Sequence, residues 1–228
     1  MSVNLTPFYA IALAILTGLA QTAFAVSVPM QLDSQHWQAL EYKSIPANRV
    51  TQLEQGLKIQ VDASASPLIY VFDETKTISE VSVMGMIGQL PIIPAGLEQG
   101  EEGADDFPFR LGLVLEGDKT LSFAQQLLAA QWVKILFNLA PEESGIDHIM
   151  FLNLANSGPS NSFNAEREHP HGNGLYTELI IERVFAERDF NFNYELPMPE
   201  RVIALWISAD GDDTGSKYAL TVNSISYK

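Results

Sequence analysis

Short stretches of the chain alternate apolar and polar residues, which is the pattern of β-strands with one buried face. In the first stretch Leu57, Ile59 and Val61 share a face, and polar residues occupy the positions between them. From Phe107 to Leu115 apolar residues again take every second position, with Arg110 on the opposite face. Further strands are predicted at residues 68–72, 78–87, 147–154, 176–185, 202–208 and 218–227. The pattern therefore predicts a mainly β protein.

Residues 119–139 follow a different period. Apolar side chains recur there at helical spacing and fall on one stripe. The stripe comprises Leu121, Ala124, Leu128, Trp132, Ile135, Leu136 and Leu139. No glycine or proline interrupts this stretch, and Pro141 follows it. We predict one helix, inserted between two strands.

Two long polar stretches, residues 88–106 and 156–174, separate predicted strands. Loops of this length in a compact domain are usually functional or mobile. No repeat of 20–50 residues is visible, and no linker divides the chain. We predict a single β-sandwich of jelly-roll type over residues 26–228, with one helical insertion around residues 120–139.

The N-terminal 25 residues predict export. Residues 8–20 form an almost unbroken apolar run, and Ala23-Phe24-Ala25 follows it. This is the pattern of a secretory signal peptide cleaved after Ala25, although no lysine or arginine precedes the run. The alternative is an uncleaved anchor. Export implies the bacterial periplasm or the medium, with no membrane contact after cleavage.

The charge of the chain narrows the choice of partners. The formal net charge is −15, and none of it lies in residues 1–25. An acidic surface repels phosphate backbones, which argues against a nucleic-acid partner. Divalent cations, neutral glycans and basic proteins remain compatible, as does an acidic surface without any site. Cysteine is absent, which excludes thiol catalysis, thiolate metal sites and lipid attachment through a cysteine.

The first candidate site is the acidic segment Asp210–Ser216. Asp210, Asp212 and Asp213 offer three carboxylates within four residues, and carboxylate oxygens are the ligands that Ca²⁺ prefers. The alternative is a solvated hairpin turn, because Asp, Gly, Thr and Ser all favour turns. Calcium is accordingly the cofactor that this segment suggests.

The second candidate site comprises Asp105, Asp106 and Arg110. Arg110 points away from the apolar face of its strand, so in a strand covered on both sides it needs a carboxylate partner. Asp210 and Asp212 are the candidates for that partner. One interpretation is an arginine that binds a substrate carboxylate or sugar hydroxyls, and the other is an ion pair that fixes the end of a strand.

The third candidate site is the pair His169 and His171. Two histidines separated by one proline resemble half of a zinc site, for which Glu178 or His148 would supply a third ligand. A polar surface loop explains the same residues without a metal.

Aromatic side chains provide the fourth candidate. Trp37, Trp132, Trp206 and seven tyrosines include potential platforms for sugar stacking, and Trp206 lies opposite the apolar face of its strand. The signatures G-x-S-x-G, the phosphate-binding loop, H-E-x-x-H and the dinucleotide fingerprint are all missing. A glycosidase pair of carboxylates stays open, because none of the 28 acidic residues is singled out.

Several segments resemble a family of exported bacterial proteins of unknown function. These segments are LKIQVDASASPLIY, ADDFPFRLGLVLEGD, ALWISADGDDTGS and YALTVNSISYK, which together span most of residues 53–228. The family resembles galactose-binding-like jelly rolls of the kind found in carbohydrate-binding modules. The resemblance implies export and a jelly-roll fold, and it assigns no catalytic residue.

The sequence thus predicts an exported, non-catalytic binding protein, monomeric or weakly oligomeric, for carbohydrate or cell-envelope polysaccharide. Asp105, Asp106, Arg110 and Trp206 would flank the ligand beside the Asp210–Asp213 turn. The first alternative is a hydrolase of envelope or extracellular polymers that uses two acids, or a metal on the histidines. The second is a structural or assembly partner of another envelope protein.

Overall fold

A computed structural model describes residues 24–228 apart from residues 34, 158–165, 170, 171 and 173. The predicted signal peptide therefore lies almost wholly outside the described residues, and export stays a prediction. In the described part of the chain, no helix has the length and apolar character needed to cross a membrane.

Strands dominate the described residues. They are β1 (Val26–Ser27), β2 (Trp37–Ala39), β3 (Arg49–Gln52), β4 (Leu57–Asp62), β5 (Leu68–Ile87), β6 (Phe109–Gly117), β7 (Gly145–Asn156), β8 (Glu166–Glu168), β9 (Tyr176–Val184), β10 (Arg188–Ser208) and β11 (Lys217–Tyr227). Between β6 and β7 lie α1 (Phe123–Leu128) and α2 (Gln131–Asn138). The mainly β class predicted from the sequence is confirmed.

Two long strands, β5 and β10, run antiparallel through both layers of a sandwich. Residues 68–71 of β5 and 202–208 of β10 lie in one layer with β2, β6, β7, β9 and β8, in which β7 and β9 are parallel. We call this the site layer. Residues 80–87 of β5 and 188–195 of β10 lie in the other layer with β1, β3, β4 and β11. We call this the back layer.

The two layers pack face to face across one apolar core. Ile59 of β4 and Leu220 of β11 belong to the same buried cluster as Leu111 of β6 and Leu154 of β7. The alternation of β6 explains its place in the sandwich, since Phe109 and every second residue to Leu115 point into this core. The predicted β-sandwich is confirmed.

The sequence pattern missed the first part of β10. Only residues 202–208 were predicted as a strand, whereas the strand begins at Arg188. Its pairing with β5 shifts register between Glu195 and Glu200, where Pro197 and Pro199 lie. Proline cannot donate to a strand ladder and is confined to such irregular positions, so the two prolines obscured a strand that continues past them.

The site layer is also covered on its outer face. A second apolar cluster there includes Val114 of β6, Ile149 of β7 and Trp206 of β10, and Leu136 of α2 and Leu40 of the N-terminal segment pack on it. Strand β6 is therefore buried on both faces over most of its length. A charged residue on β6 must accordingly find its partners inside the protein.

The predicted helical insertion around residues 120–139 is confirmed, but it consists of two short helices, so the prediction of a single continuous helix is wrong. Ala129 and Ala130 have ψ angles of 147° and 154°, so the chain is extended between α1 and α2. Ser122 caps α1 in a capping box with Gln125, and α1 buries no residue. Leu128 of the predicted stripe is 89% exposed. Apolar spacing shows which residues could share one helix face. It does not reveal that two residues, Ala129 and Ala130, are extended and separate two helices.

Candidate functional site

A cleft of about 790 Å³ opens on the outer face of the site layer. Its floor is formed by the strands around Phe151 and Trp206, and Trp132 of α2 and Tyr42 of the N-terminal segment contribute to its walls. The carboxylates that line it are Glu101, Glu102, Asp105, Asp210, Asp212 and Asp213. The loop over residues 88–106, predicted as a loop and found without strand or helix, thus supplies three of these acids.

Arg110 lies at the centre of the acidic part of the cleft and is 6% exposed. Its Nε lies 2.7 Å from Oδ2 of Asp210, its Nη1 donates to Glu178, and its Nη2 lies 3.4 Å from Oδ1 of Asp105. Nη2 also donates to the Asp105 backbone carbonyl at 2.8 Å. The guanidinium stacks over the ring of Phe107, 4.5 Å from its centroid. Asp210 is one of the two partners that the sequence suggested for this arginine.

Four separate segments bring these groups together. Arg110 is on β6, Glu178 is on β9, Asp105 ends the long loop, and Asp210 follows β10. Ser208 of β10 pairs in register with Arg110 of β6, so the end of β10 delivers Asp210 next to the guanidinium. The geometry follows from strand pairing between residues far apart in the chain.

Asp106 is fully buried and stabilises the acidic turn beside the cleft. Its carboxylate accepts hydrogen bonds from the backbone N–H of Asp213 at 3.3 Å, and from the N–H and hydroxyl of Thr214 at 2.8 and 2.5 Å. Asp213 in turn accepts a hydrogen bond from the backbone N–H of Asp105 at 2.9 Å. The acidic turn is therefore tied to the loop, and Asp106 does not line the cleft.

His169 lies in the cleft next to Asp105, with its Nε2 2.7 Å from Oδ2 of that carboxylate. Its ring packs on Tyr176 at 4.6 Å between centroids. His171 lies outside the described residues. His148, the alternative third ligand suggested by the sequence, is placed elsewhere, with its Nδ1 3.0 Å from Oδ2 of Asp147.

Among the described residues, one group of acids and histidines converges closely enough to hold a metal. In the group Asp105, His169 and Glu178, one potential ligand atom from each residue lies within 4.8 Å of the others. Asp210, Asp212 and Asp213 do not form such a group in the described part of the chain. Calcium at the acidic turn stays a prediction.

The aromatic side chains of the cleft differ in their access to solvent. Trp206 is only 3% exposed and belongs to the apolar cluster under the floor, whereas Trp132 and Tyr176 are half-buried and meet edge to face at 5.9 Å. Trp37 is remote from the cleft, because it packs in the core between the layers against Tyr70.

Sequence reasoning did not single out Tyr42 or Tyr176 as cleft residues. A signal for Tyr176 was present, since alternation along β9 places Tyr176 and Glu178 on the same face. For Tyr42 no such signal exists, because it lies outside the strands and reaches the cleft only through the path of the N-terminal segment.

Burial raises the pKa of several groups that line the cleft, among them Asp210, Asp212 and Tyr176. It raises the pKa of Asp210 to about 6, although the neighbouring Arg110 opposes the shift. It also raises the pKa of Tyr176 to about 12. The Tyr176 hydroxyl is protonated at neutral pH and can donate a hydrogen bond. The carboxyl group of Asp210 therefore takes up a proton under mildly acidic conditions.

The raised pKa of Asp210 predicts a stability that falls as the pH rises. The unfolded state has an aspartate pKa of about 4, so the folded state binds more protons between pH 4 and pH 6. Wild-type protein is expected to gain about 1 kcal/mol in free energy of unfolding on going from pH 7 to pH 5, relative to Asp210→Asn. Urea unfolding of both proteins at the two pH values measures this difference. Identical pH dependence in the two proteins would contradict it.

The fold and the cleft define a β-sandwich protein with an acidic, aromatic-lined cleft on one sheet face. No family model and no curated protein matches this chain. The chain is similar in structure to the xylan-binding module CBM15, with 10% identity and a TM-score of 0.36 over 90% of this chain and 95% of that one. It is also similar to the family 11 carbohydrate-binding module from Clostridium thermocellum. The identity is 5% and the TM-score is 0.42, over 89% of this chain and 94% of that module.

A third similar structure is xylanase 10C from Cellvibrio japonicus, with 9% identity and a TM-score of 0.31 over 88% of this chain and 27% of that one. These likenesses are distant and carry no argument about function. The resemblance to an exported family of unknown function has no family match behind it. The function must therefore be argued from the cleft itself.

Proposed function

We propose that this protein binds a neutral carbohydrate in the cleft of the site layer. The observation that supports the proposal is the combination of half-buried aromatic rings, Trp132 and Tyr176, with carboxylates in one cleft. Aromatic faces match the C–H faces of a sugar ring, and carboxylates accept hydrogen bonds from its hydroxyl groups. A cleft of about 790 Å³ is in the range of small-ligand sites.

The charge of the cleft favours a neutral ligand over an acidic one. Six carboxylates line the cleft, and the guanidinium of Arg110 is already held by three carboxylate side chains. A uronic-acid or sulfated polymer would bring further negative charge next to these groups, which costs free energy at short range. A neutral polysaccharide such as a glucan, mannan or xylan avoids that cost.

The structure suggests different roles for the residues that the sequence analysis grouped as ligand-binding. Asp105 and Asp212 lie in the cleft where hydroxyl groups can reach them. Arg110, which is almost fully buried, and Asp106, which is outside the cleft, hold the walls in place. Trp206 supports the floor from the apolar cluster. Export, predicted from the first 25 residues, would place this cleft among envelope or extracellular polymers.

Trp132→Ala is expected to weaken carbohydrate binding at least about fivefold, because stacking contacts of this kind contribute about 1 kcal/mol or more. Affinity electrophoresis in gels cast with glucan, mannan, xylan or polygalacturonate measures the retardation. Wild-type protein should be retarded by one of the neutral polymers and not by polygalacturonate.

The matched control is Phe123→Ala, which removes an exposed aromatic ring on α1 outside the cleft and should leave retardation unchanged. Retardation by polygalacturonate alone, or equal retardation of wild type and Trp132→Ala, would overturn the proposed site. If no polymer retards the wild-type protein, the carbohydrate proposal fails, and an envelope protein becomes the partner to search for by pull-down.

A hydrolase is the second candidate function, and one observation favours it. The carboxyl group of Asp210 lies in the cleft with a pKa raised to about 6, as a general acid requires. Its ion pair with Arg110 argues for a structural role instead. Reducing ends measured after incubation with the retarding polymer decide between them, since a binding protein leaves the polymer intact and a hydrolase does not.

A further inference from the structure

We propose that Asp105, His169 and Glu178 bind one divalent transition-metal ion, with zinc as the preferred ion, at the floor of the cleft. This inference goes beyond carbohydrate binding, and neither proposal requires the other. The three residues belong to three different segments, namely the end of the long loop, the segment after β8, and β9.

The three side chains lie close enough together to contact one ion. One ligand atom from each of the three residues lies within 4.8 Å of the other two. Nε2 of His169 and Oδ2 of Asp105 are 2.7 Å apart, so an imidazole nitrogen and a carboxylate oxygen already face each other. Two of the three residues, Asp105 and His169, line the cleft, which leaves access for an ion and for a further ligand.

Burial separates this group from an acidic patch on the surface. The side chain of Glu178 is 1% exposed, that of His169 is 7% exposed, and that of Asp105 is 25% exposed. Buried carboxylates lose their hydration and therefore favour a nearby cation. Here three carboxylates, those of Asp105, Glu178 and Asp210, share the single positive charge of Arg110, so negative charge remains for a metal ion to offset. Exposed acids, by contrast, remain hydrated and need no ion.

Neighbouring side chains hold the carboxylates in fixed orientations. Arg110 contacts Oδ1 of Asp105 and Oε1 of Glu178, and Asn153 donates to the same Oε1 at 3.1 Å. The oxygen of Asp105 that faces His169 is Oδ2, which is not the oxygen nearest to Arg110. Arg110 can therefore orient the carboxylate while its other oxygen binds an ion. Outer contacts of this kind are typical of protein metal sites.

The ligand chemistry favours zinc over calcium. Calcium takes six to eight oxygen ligands, whereas zinc combines imidazole nitrogen and carboxylate oxygen in sites of low coordination number. Three protein ligands, two of which line the cleft, match a zinc site that takes water or a ligand group as its fourth partner. Manganese accepts the same donors less tightly.

The test is isothermal titration calorimetry of zinc chloride into untagged protein stripped with EDTA. We expect one zinc ion per chain in the wild type, and at least about tenfold weaker binding in His169→Ala and in Glu178→Gln. Absorption of the cobalt-loaded protein provides a second measurement, because an intense d–d band indicates low coordination number and should disappear in both variants. Thermal unfolding of each apo variant checks that it is folded.

The matched control is His148→Ala, because His148 also faces an aspartate, Asp147, outside the cleft. This variant should bind zinc as the wild type does. The absence of saturable zinc binding in the wild type, unchanged binding in both site variants, or an equal loss in His148→Ala would each overturn the proposal. Retardation of the EDTA-treated protein in polysaccharide gels tests the cleft separately, so failure of one proposal is distinguishable from failure of the other.

Discussion

Arg110→Ala is expected to lower the free energy of unfolding by about 3–5 kcal/mol. The guanidinium is almost fully buried and contacts the carboxylates of Asp105, Glu178 and Asp210. Removing it leaves these acids close together in a largely desolvated region without their central counter-charge. Unfolding in urea, followed by intrinsic tryptophan fluorescence at pH 7, measures the loss.

The matched control for this prediction is Arg201→Ala. Arg201 also forms an ion pair from a strand, with its Nε 2.7 Å from Oε2 of Glu116, but its side chain is 63% exposed. Exposed pairs contribute about 0–1 kcal/mol, so this variant should stay close to the wild type. Arg110→Lys should also be destabilised, because an ammonium group cannot match the planar fork that reaches three carboxylates. Equal stability of Arg110→Ala and Arg201→Ala would contradict the structural role of Arg110.

Asp106→Ala is expected to destabilise the protein by about 3 kcal/mol. It should also loosen the acidic turn from the long loop, to which the Asp105–Asp213 hydrogen bond still joins it. The buried carboxylate accepts three hydrogen bonds from Asp213 and Thr214, and the variant removes this acceptor from both backbone N–H groups and from the Thr214 hydroxyl. Because Asp210 and Asp212 belong to the same acidic segment, carbohydrate retardation should fall together with stability. Urea unfolding and affinity electrophoresis on the same preparation measure the two effects.

Asp118→Ala serves as the control for Asp106→Ala, since Asp118 is an exposed aspartate beyond the end of β6. Asp106→Asn separates shape from charge, because it keeps one acceptor oxygen in nearly the same volume and should be destabilised less than the alanine variant. If Asp106→Ala remained as stable as Asp118→Ala, the turn would not depend on this carboxylate.

Much of the fold could be predicted because alternation of apolar and polar residues along a strand indicates which of its faces is buried. Strand β6 is the clearest case, where every second residue from Phe109 to Leu115 enters the core. The position of Arg110 on the other face of this strand also indicated that it needs an internal partner. The alternation could not show that β5 and β10 pass from one layer to the other, since that depends on pairing between strands distant in the chain.

The candidate site was predictable only in part. Asp105, Arg110 and the acidic turn were recognised as residue types with chemistry, and the structure places them in one cleft. Glu178 entered only as one of two alternative third ligands, and Trp206 was expected at the surface of the cleft rather than in its apolar floor. The exposure of the Trp206 ring depends on the segments that pack over it, which are α2 and the N-terminal segment. The sequence around Trp206 does not indicate which distant segments will cover it.

By itself, the sequence determined that the chain forms β-strands, that their apolar faces build a sandwich, and that buried or half-buried acids need partners. These properties follow from residue size, polarity and spacing, which act locally. Only the tertiary structure decided which partners meet. Arg110 and Glu178 are separated by 68 positions, and their contact exists because β6, β7 and β9 are neighbours in one layer. Chain topology sets that neighbourhood, since pairing between distant strands depends on the whole core and not on either segment alone.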